Sequence, residues 1–320
     1  MNVIFKNVGQ GDSIIIEWEE EGVHKFGLID CNRSDGKNPI LEYIKNRNPS
    51  SIEFIFLSHP HEDHYSGFKE VFEFIEAKKI IVQRFGSTYN NVGKPYWKLF
   101  EIGVNAGREL EILLTKIIEL KKAGIILETE MISKNWKIDL SPNMKIIAIS
   151  PSEDEVVQYQ SQVKLDADIN KREASQAANL LSTLFCLSTE KVNVLLTSDT
   201  MISAFERIHK EKHLEGKHYS LVQVPHHGSI KNYTDIFWKN IDNPKEVKDA
   251  VVSSGYNLKY KHPDIEVLNK LETLKYNIHA TNIVHGMHDY VELVKKTVTL
   301  DMVSDIQLDS FKGGDKVFTY

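Results

Sequence analysis

A buried strand that runs directly into a cluster of histidines and carboxylates is the feature that most constrains this chain. Residues 54–64 read F-I-F-L-S-H-P-H-E-D-H, an unbroken apolar run followed at once by ligand-type side chains. Imidazole and carboxylate groups are the ligands of zinc and manganese-like ions. Alternate side chains of an extended segment share a face, so His59 and His61 can reach one ion. The chain then turns into a helix, which carries Asp63 and His64 towards a second position close by.

Two later strands end in groups of the same chemistry. Residues 194–199, V-L-L-T-S-D, form an apolar strand that ends in Asp199, a carboxylate well placed to bridge two cations, although a strand-end Asp is also a common helix cap. Residues 222–229, V-Q-V-P-H-H-G-S, end in the pair His226 and His227. Adjacent side chains point to different sides, so one can bind metal while the other meets substrate or supports another ligand.

The order of strands and helices predicts an α/β protein with two mixed sheets and outer helices. No repeat, low-complexity tract or linker divides the 320 residues, which favours a single domain over 1–320. Hairpins predicted at 13–30 and 180–197 argue against a purely parallel sheet. The predicted strands are 3–5, 13–18, 25–30, 54–57, 80–83, 136–140, 145–149, 180–187, 191–197, 221–224 and 250–253. The predicted helices are 39–46, 68–79, 94–123, 153–178, 201–212, 233–240 and 264–274.

Composition narrows the class of partner. The chain carries 39 basic and 45 acidic residues, a net charge of −6. This balance does not favour a broad nucleic-acid-binding surface or a basic membrane-binding surface. No aromatic-basic stripe stands out. Apolar runs long enough to span a membrane are absent, and the first residues read as a strand rather than a leader. Only Cys31 and Cys186 occur, which predicts no disulfide framework and a cytoplasmic location.

With these motifs the sequence resembles the metallo-β-lactamase superfamily, and more closely the soluble nuclease-like domain of ComEC competence proteins. The resemblance runs from residue 3 to about residue 285, and it implies an αββα sandwich with metals at one edge of the two sheets. The segments that carry it, besides residues 54–64, are N-V-G-Q-G-D-S at 7–13, G-L-I-D at 27–30, L-T-S-D at 196–199, V-P-H-H-G-S at 224–229, S-S-G at 253–255, Y-K-H-P at 260–263 and V-L at 267–268.

The resemblance also implies two divalent metal ions, zinc or manganese, and a ligand set. The implied ligands are His59, His61, Asp63, His64, Asp199 and one of His226 or His227. Many members carry a further histidine before the bridging Asp, but no His occurs between residues 65 and 208, and Asn179 is the nearest match. An amide oxygen is a harder and weaker ligand than imidazole, which makes manganese a serious candidate. Asp30 matches a residue that braces the metal loop, and His262 matches a late His-Pro near the site.

These residues lead to a first hypothesis of function. Two divalent ions, two carboxylates and a bridging hydroxide leave a positive site that favours anions. The predicted activity is metal-dependent hydrolysis by a metal-bridging hydroxide, first of all of a phosphodiester in DNA or RNA. Asp63, His227 and His262 are the candidate catalytic residues, with one of the two histidines protonating the leaving group.

Two alternatives stay open. One is a hydrolase of a small molecule such as a cyclic nucleotide, a lactone or a phosphocholine ester. The other is a metal-stabilised interaction module that uses a helical insertion at about 94–123 as a protein-binding surface. The insertion could equally be an amphipathic helix whose apolar residues are core. No membrane-spanning part of the ComEC type is present, so a role in a DNA-uptake channel is not implied.

Overall fold

The computed structural model describes residues 1–34, 36–88, 106–162, 176–241, 248–297 and 312–320, without the side chains of 106–108 and 297. Within these ranges the strands form two mixed sheets. The first sheet contains β1 (Asn2–Phe5), β2 (Ile14–Glu20), β3 (Val23–Ile29), β4 (Ser51–Ile52), β5 (Phe54–Leu57), β6 (Ile81–Ser87), β7 (Ile126–Met131) and β15 (Lys316–Thr319). Its order is β15-β1-β2-β3-β5-β6-β4, and β7 also pairs with β6.

The second sheet has the order β14-β13-β12-β11-β10-β9-β8. Its strands are β8 (Lys137–Ser141), β9 (Met144–Ser150), β10 (Leu184–Thr189), β11 (Asn193–Leu196), β12 (Leu221–Gln223), β13 (Asp249–Val252) and β14 (Asn277–Ala280). The described helices are α1 (Pro39–Arg47), α2 (Glu62–Tyr65), α3 (Phe68–Lys78), α4 (Ala106–Lys122), α5 (Glu153–Gln162), α6 (Ile202–Lys210), α7 (Asp235–Ile241), α8 (Ile265–Thr273) and α9 (Gly286–Thr297). None of these helices is both long enough and apolar enough to cross a membrane.

The unbroken apolar run of β5 is explained by burial on both faces. Phe54 and Phe56 lie in the core between the two sheets, where the Phe56 ring stacks against Phe185 of β10 with centroids 5.6 Å apart. Ile55 and Leu57 point the other way, into a core that α1, α3 and α4 cover. A third core lies between the second sheet and α6 to α9. The four layers confirm the predicted αββα sandwich.

The topology brings several strand ends to one place. Strands β3, β5 and β6 run parallel in the first sheet, and β11, β12, β13 and β14 run parallel in the second. Parallel strands end at the same edge of a sheet, and ligand sites form outside their carboxyl ends. The residues that follow β3, β5, β11, β12 and β13 therefore surround one site.

One predicted strand is partly wrong. The apolar pattern predicts a single strand over 180–187, but Asn179–Leu181 form a 3₁₀ turn and β10 begins only at Leu184. Leu180 and Leu181 are apolar because they pack in the helix-side core rather than in the sheet, a difference that a short apolar run does not reveal. The turn sets Asn179 beside the site.

Other differences concern missed or partly described elements. Sequence patterns missed β4, β7, β14, α9 and β15, of which β15 pairs antiparallel with β1 from the far end of the chain. The predicted helix 94–123 is α4 from residue 106 onwards, with Leu113, Ile117 and Leu120 buried. Residues 94–105 of the expected insertion and 163–175 of the predicted stretch 153–178 lie outside the described residues.

Candidate metal centre

A single buried carboxylate, Asp199, lies at the centre of the site. Its Oδ1 is 3.7 Å from His64 Nε2 and 3.6 Å from His227 Nε2. Its Oδ2 is 3.6 Å from His59 Nε2 and 3.5 Å from His226 Nε2. Each oxygen thus faces a different pair of imidazoles. The two imidazoles facing Oδ2, His59 and His226, form the first subsite together with His61, which lies against His59. The two facing Oδ1, His64 and His227, form the second subsite together with Asp63, which lies against both.

In the second subsite, both imidazoles are oriented by hydrogen-bond acceptors behind them. His64 Nδ1 lies 2.7 Å from Asp30 Oδ2, and His227 Nδ1 lies 2.7 Å from the backbone oxygen of Ser253. Carboxylate and carbonyl oxygens only accept, so each Nδ1 carries its proton and donates. In the neutral rings the Nε2 lone pairs then point towards Asp63 and Asp199. His227 Nε2 is 3.5 Å from Asp63 Oδ2, and His64 Nε2 is 3.9 Å from Asp63 Oδ1.

Three ligand-type atoms of this arrangement are buried without a hydrogen-bond partner in the described part of the chain. They are His64 Nε2, His227 Nε2 and Asp199 Oδ1. Ligand atoms of Asp63, His64 and His227 lie within 4.8 Å of one another, and so do those of His59, His64 and Asp199. Buried polar atoms without partners are costly, and a cation between them would satisfy all three. The residues present therefore fit a divalent metal ion.

The first subsite is arranged differently. His59 Nε2 and His61 Nδ1 are 3.0 Å apart, consistent with two side chains that share a face of the loop. His226 Nδ1 faces Asn179 Nδ2 at 3.4 Å, while Asn179 Oδ1 is buried without a hydrogen-bond partner among the described residues. The His226 side chain is 25% exposed, whereas that of His227 is 2% exposed. Asn179 thus lies behind His226 at the more open end of the site.

Burial and neighbouring charges set the protonation of these groups. Burial, together with the nearby His64 and His61 rings, lowers the pKa of His59 well below its usual value, so its ring is neutral. Burial alone would lower the pKa of His64 and His227. The Asp30 carboxylate instead raises the pKa of His64, and Asp199 raises that of His227 to about 9. The carboxylates in the centre are therefore strong enough to attract cations.

His262 lies at the rim of the first subsite rather than within it. Its ring centroid is 5.9 Å from that of His226, and Nδ1 lies 3.5 Å from Asp264 Oδ2. Burial and the nearby His226 lower the pKa of His262 to about 4. The structure thus places His262 next to a candidate metal ligand and not against Asp199.

Sequence reasoning assigned no role to Asp12 or Gln223, although both reach the centre. Asp12 Oδ2 accepts a hydrogen bond of 2.7 Å from Gln223 Nε2 and lies 3.7 Å from His64 Nδ1. Gly11 (φ +122°) allows this approach, because a Cβ there would collide with the backbone carbonyl of Asp63. The G-Q-G-D motif is the signal that could have found Asp12, but by itself it predicts only a tight turn or a backbone contact with a ligand.

Asp30 makes the hydrogen bonds expected of a brace. It accepts from the Ser58 backbone nitrogen at 2.8 Å and from Ser58 Oγ at 2.6 Å, besides facing His64. Ser198 Oγ donates to Ser58 Oγ at 2.9 Å. Both hydroxyl protons are thereby used, so the two serine oxygens can accept from His59 Nδ1, which lies 3.2 Å from each.

Comparison with known proteins agrees with this architecture. Residues 7–145 match the family model of the metallo-beta-lactamase superfamily. No curated protein sequence matches the chain. Among solved structures, the chain is similar to the metallo-beta-lactamase fold protein YhfI from Bacillus subtilis (8% identity, TM-score 0.46, 87% of this chain and 95% of that chain). A diphosphatase from the PhnP family has 12% identity and a TM-score of 0.41 over 99% of this chain and 98% of that chain.

A third similar structure is CmlA, a diiron beta-hydroxylase from Streptomyces venezuelae, with 10% identity and a TM-score of 0.44. The alignment covers 99% of this chain but 54% of CmlA, so the chain spans about half the length of that enzyme. The family match, which begins before β2 and ends inside β9, includes the whole His59–His64 loop. With this match and the four-layer sandwich that surrounds it, the chain is similar to the metallo-β-lactamase superfamily over residues 7–145.

Proposed function

We propose that this protein is a binuclear metal-dependent phosphodiesterase that acts on DNA or RNA. The observation that carries the proposal is the position of Asp199, whose two oxygens each face a separate pair of imidazoles. A carboxylate in that position can be shared by two cations. A mononuclear site would need only one of the two subsites.

The residues present divide into two ligand sets. His59, His61 and His226 would hold one ion with Asp199 Oδ2, and Asn179 is a further candidate through its buried Oδ1. Asp63, His64 and His227 would hold the other with Asp199 Oδ1. Bound there, divalent ions such as zinc or manganese would lower the pKa of a coordinated water and neutralise charge on the departing oxygens.

The charge of the site supports an anionic substrate. Asp199, which faces both subsites, and Asp63, which lies in the second, offset only two of the four positive charges that two divalent ions bring. The pKa of each carboxyl is held below its usual value, against the effect of burial, by the surrounding histidines, so both are ionised at neutral pH. A phosphodiester, with one negative charge, suits such a site.

His262 is the candidate for handling the leaving group. His227, the other candidate, is directed at Asp63 and Asp199 and would be occupied as a ligand. His262 is 8% exposed and lies one ring beyond His226, so it borders the space above the first subsite. Its neutral imidazole can orient the leaving oxygen and share a proton with it during the reaction.

Hydrolysis assays with defined metals test the proposal. Chelator-treated protein would be loaded with manganese, zinc or magnesium and given bis-p-nitrophenyl phosphate, single-stranded DNA, duplex DNA and RNA. Asp63→Ala controls for contaminating nucleases. We expect cleavage of at least one phosphodiester, abolished in the variant. Failure on all of them, together with variant-sensitive hydrolysis of a lactone, would contradict the proposal in favour of a small-molecule hydrolase.

A further inference from the structure

An exposed run of aromatic and basic residues, too short to stand out in the sequence as a stripe, lies directly beside the metal centre. Residues 256–261, Y-N-L-K-Y-K, follow β13 and precede α8. The Tyr256, Leu258 and Tyr260 side chains are 71%, 68% and 51% exposed, in a sandwich whose other large apolar residues are mostly buried. We call this run the platform segment. Exposed aromatic residues on a rigid element are a common feature of binding surfaces.

Residues on both sides of the platform segment contact side chains of the metal centre. On the N-terminal side, the backbone oxygen of Ser253 accepts the hydrogen bond of 2.7 Å from His227 Nδ1. On the C-terminal side, His262 lies with its ring centroid 5.9 Å from that of His226. Since a residue spans at most about 3.6 Å of chain, Tyr256 and Tyr260 lie within a few residues' reach of the two subsites.

Hydrogen bonds within the segment hold its shape. Asn257 Oδ1 accepts from the backbone nitrogens of Lys259 at 2.9 Å and Tyr260 at 3.2 Å. The Lys261 nitrogen donates to the Asn257 oxygen at 2.9 Å, and the Asn257 nitrogen donates to His285 Nε2 at 3.0 Å. The rings are therefore presented on an ordered turn.

The two tyrosines are backed by histidine rings. Tyr256 stacks on His285 with centroids 5.3 Å apart and planes 16° apart, and Tyr260 lies nearly parallel to His262 at 6.1 Å and 13°. The Lys259 amine lies 4.6 Å from the centroid of Tyr260. Each tyrosine ring thus lies against a histidine ring, and Tyr260 also has the Lys259 cation close by.

We infer that the platform segment binds single-stranded nucleic acid and leads it into the metal centre, with bases stacking on Tyr256 and Tyr260 and phosphates meeting Lys259 and Lys261. Aromatic faces beside lysines are how single strands are bound without sequence preference. The sequence favours a polyanion here, because residues 253–263 contain two lysines and no acidic residue although the whole chain has a net charge of −6. The inference deepens the proposed function. It rests on that function for the claim that the bound nucleic acid is led towards the metal centre.

Binding and hydrolysis would be measured separately, so that either claim can fail alone. Manganese-loaded protein would be titrated into a fluorescent, phosphorothioate-linked thymidine 12-mer, followed by anisotropy. Tyr256→Ala with Tyr260→Ala should raise Kd between about fivefold and a hundredfold for each base that no longer stacks, and the matched Tyr→Phe pair should not, because it keeps both rings. Duplex of the same length should bind more weakly than the single strand.

A second pair of variants tests the lysines. Lys259→Ala with Lys261→Ala should lower the slope of log Kd against log salt by about 1.4, or about 0.7 for each phosphate that is no longer neutralised. Lys212→Ala with Lys239→Ala, which alters lysines 75% and 71% exposed elsewhere, is the control and should leave the slope unchanged. Absence of binding by the wild type, or Kd values unaffected by both tyrosine-to-alanine changes, would overturn the inference. Hydrolysis of bis-p-nitrophenyl phosphate reports on the proposed function alone.

Discussion

The two subsites share Asp199 but differ in what stands behind their imidazoles. In the second subsite, Asp30 accepts from His64 Nδ1 and a backbone oxygen accepts from His227 Nδ1, which directs both Nε2 lone pairs inwards. In the first subsite, His226 Nδ1 faces an amide nitrogen of Asn179, which can only donate. The neutral His226 ring then carries its proton on Nε2, the atom that faces Asp199.

The difference teaches that ligand identity alone does not define a metal site. Groups behind a histidine fix its tautomer, and their loss commonly costs 10- to 100-fold in metal affinity. A cation in the first subsite has to displace the Nε2 proton of His226 or turn the Asn179 amide. A cation in the second subsite displaces the second protons that the raised pKa values of His64 and His227 leave on Nε2, and it needs no change of tautomer, because each Nδ1 already donates to its acceptor. We therefore expect the second subsite to bind metal more tightly.

The largest effect is expected from Asp199→Asn, which removes the charge that both subsites share. Metal content should fall below one ion per chain, and kcat on a phosphodiester should fall by about a thousandfold or more. The fold should survive, because the site lies at the edge of the sheets. Elemental analysis, turnover and circular dichroism would be compared with the wild type. Near-normal turnover would mean that another carboxylate, such as Asp12, bridges the ions.

His262→Gln tests whether His262 acts on the substrate or binds metal. Removing a group that shares a proton with the leaving oxygen typically lowers the rate 10²- to 10⁴-fold, and we expect about 10² on a dinucleotide substrate. The effect should be smaller for bis-p-nitrophenyl phosphate, since p-nitrophenolate leaves without protonation. Metal content should stay at the wild-type value. Equal decreases on both substrates, or release of an ion, would assign His262 to another role.

Asp30→Asn should weaken the second subsite selectively. An asparagine keeps the size of the side chain and tolerates the left-handed backbone at this position (φ 60°), but it cannot accept from Ser58 and His64 as a carboxylate does. Metal affinity of the tighter class of site should fall about 10- to 100-fold in an indicator competition titration. The weaker class of site serves as the internal control. An equal fall in both classes would indicate general loosening of the loop.

Asn179→Asp replaces an amide by a carboxylate, the opposite of the change in Asp30→Asn, and it should produce the smallest effect. A carboxylate behind His226 would accept its Nδ1 proton and direct the Nε2 lone pair towards Asp199, as Asp30 does for His64. Affinity of the weaker site should rise by up to about tenfold in the same titration. Asn179→Ala controls for changes in space and should bring no gain. If the aspartate variant binds metal no more tightly, the position of Asn179 does not limit the first subsite.

Sequence predicted the parts of this site that follow directly from strand ends. The run at 54–64 and the carboxylate at 199 were recognisable because an apolar strand and a polar ligand are neighbours in the chain. Asp12 and Gln223 were missed because their contact joins residues 211 positions apart, across the two sheets. The pairing of β15 with β1 is similarly distant, and no local pattern in either strand specifies its partner. The different support of His226 and His227 also depends on tertiary contacts with Asn179 and Ser253.

Graded metal removal from the wild-type protein tests most directly the claim that Asp199 serves two unequal subsites. Protein saturated with manganese by dialysis would be equilibrated with increasing chelator, and the bound metal would be counted by elemental analysis. We predict two ions per chain at saturation, released in two steps with the weaker ion leaving first. A single ion at saturation, or no bound metal, would contradict the account.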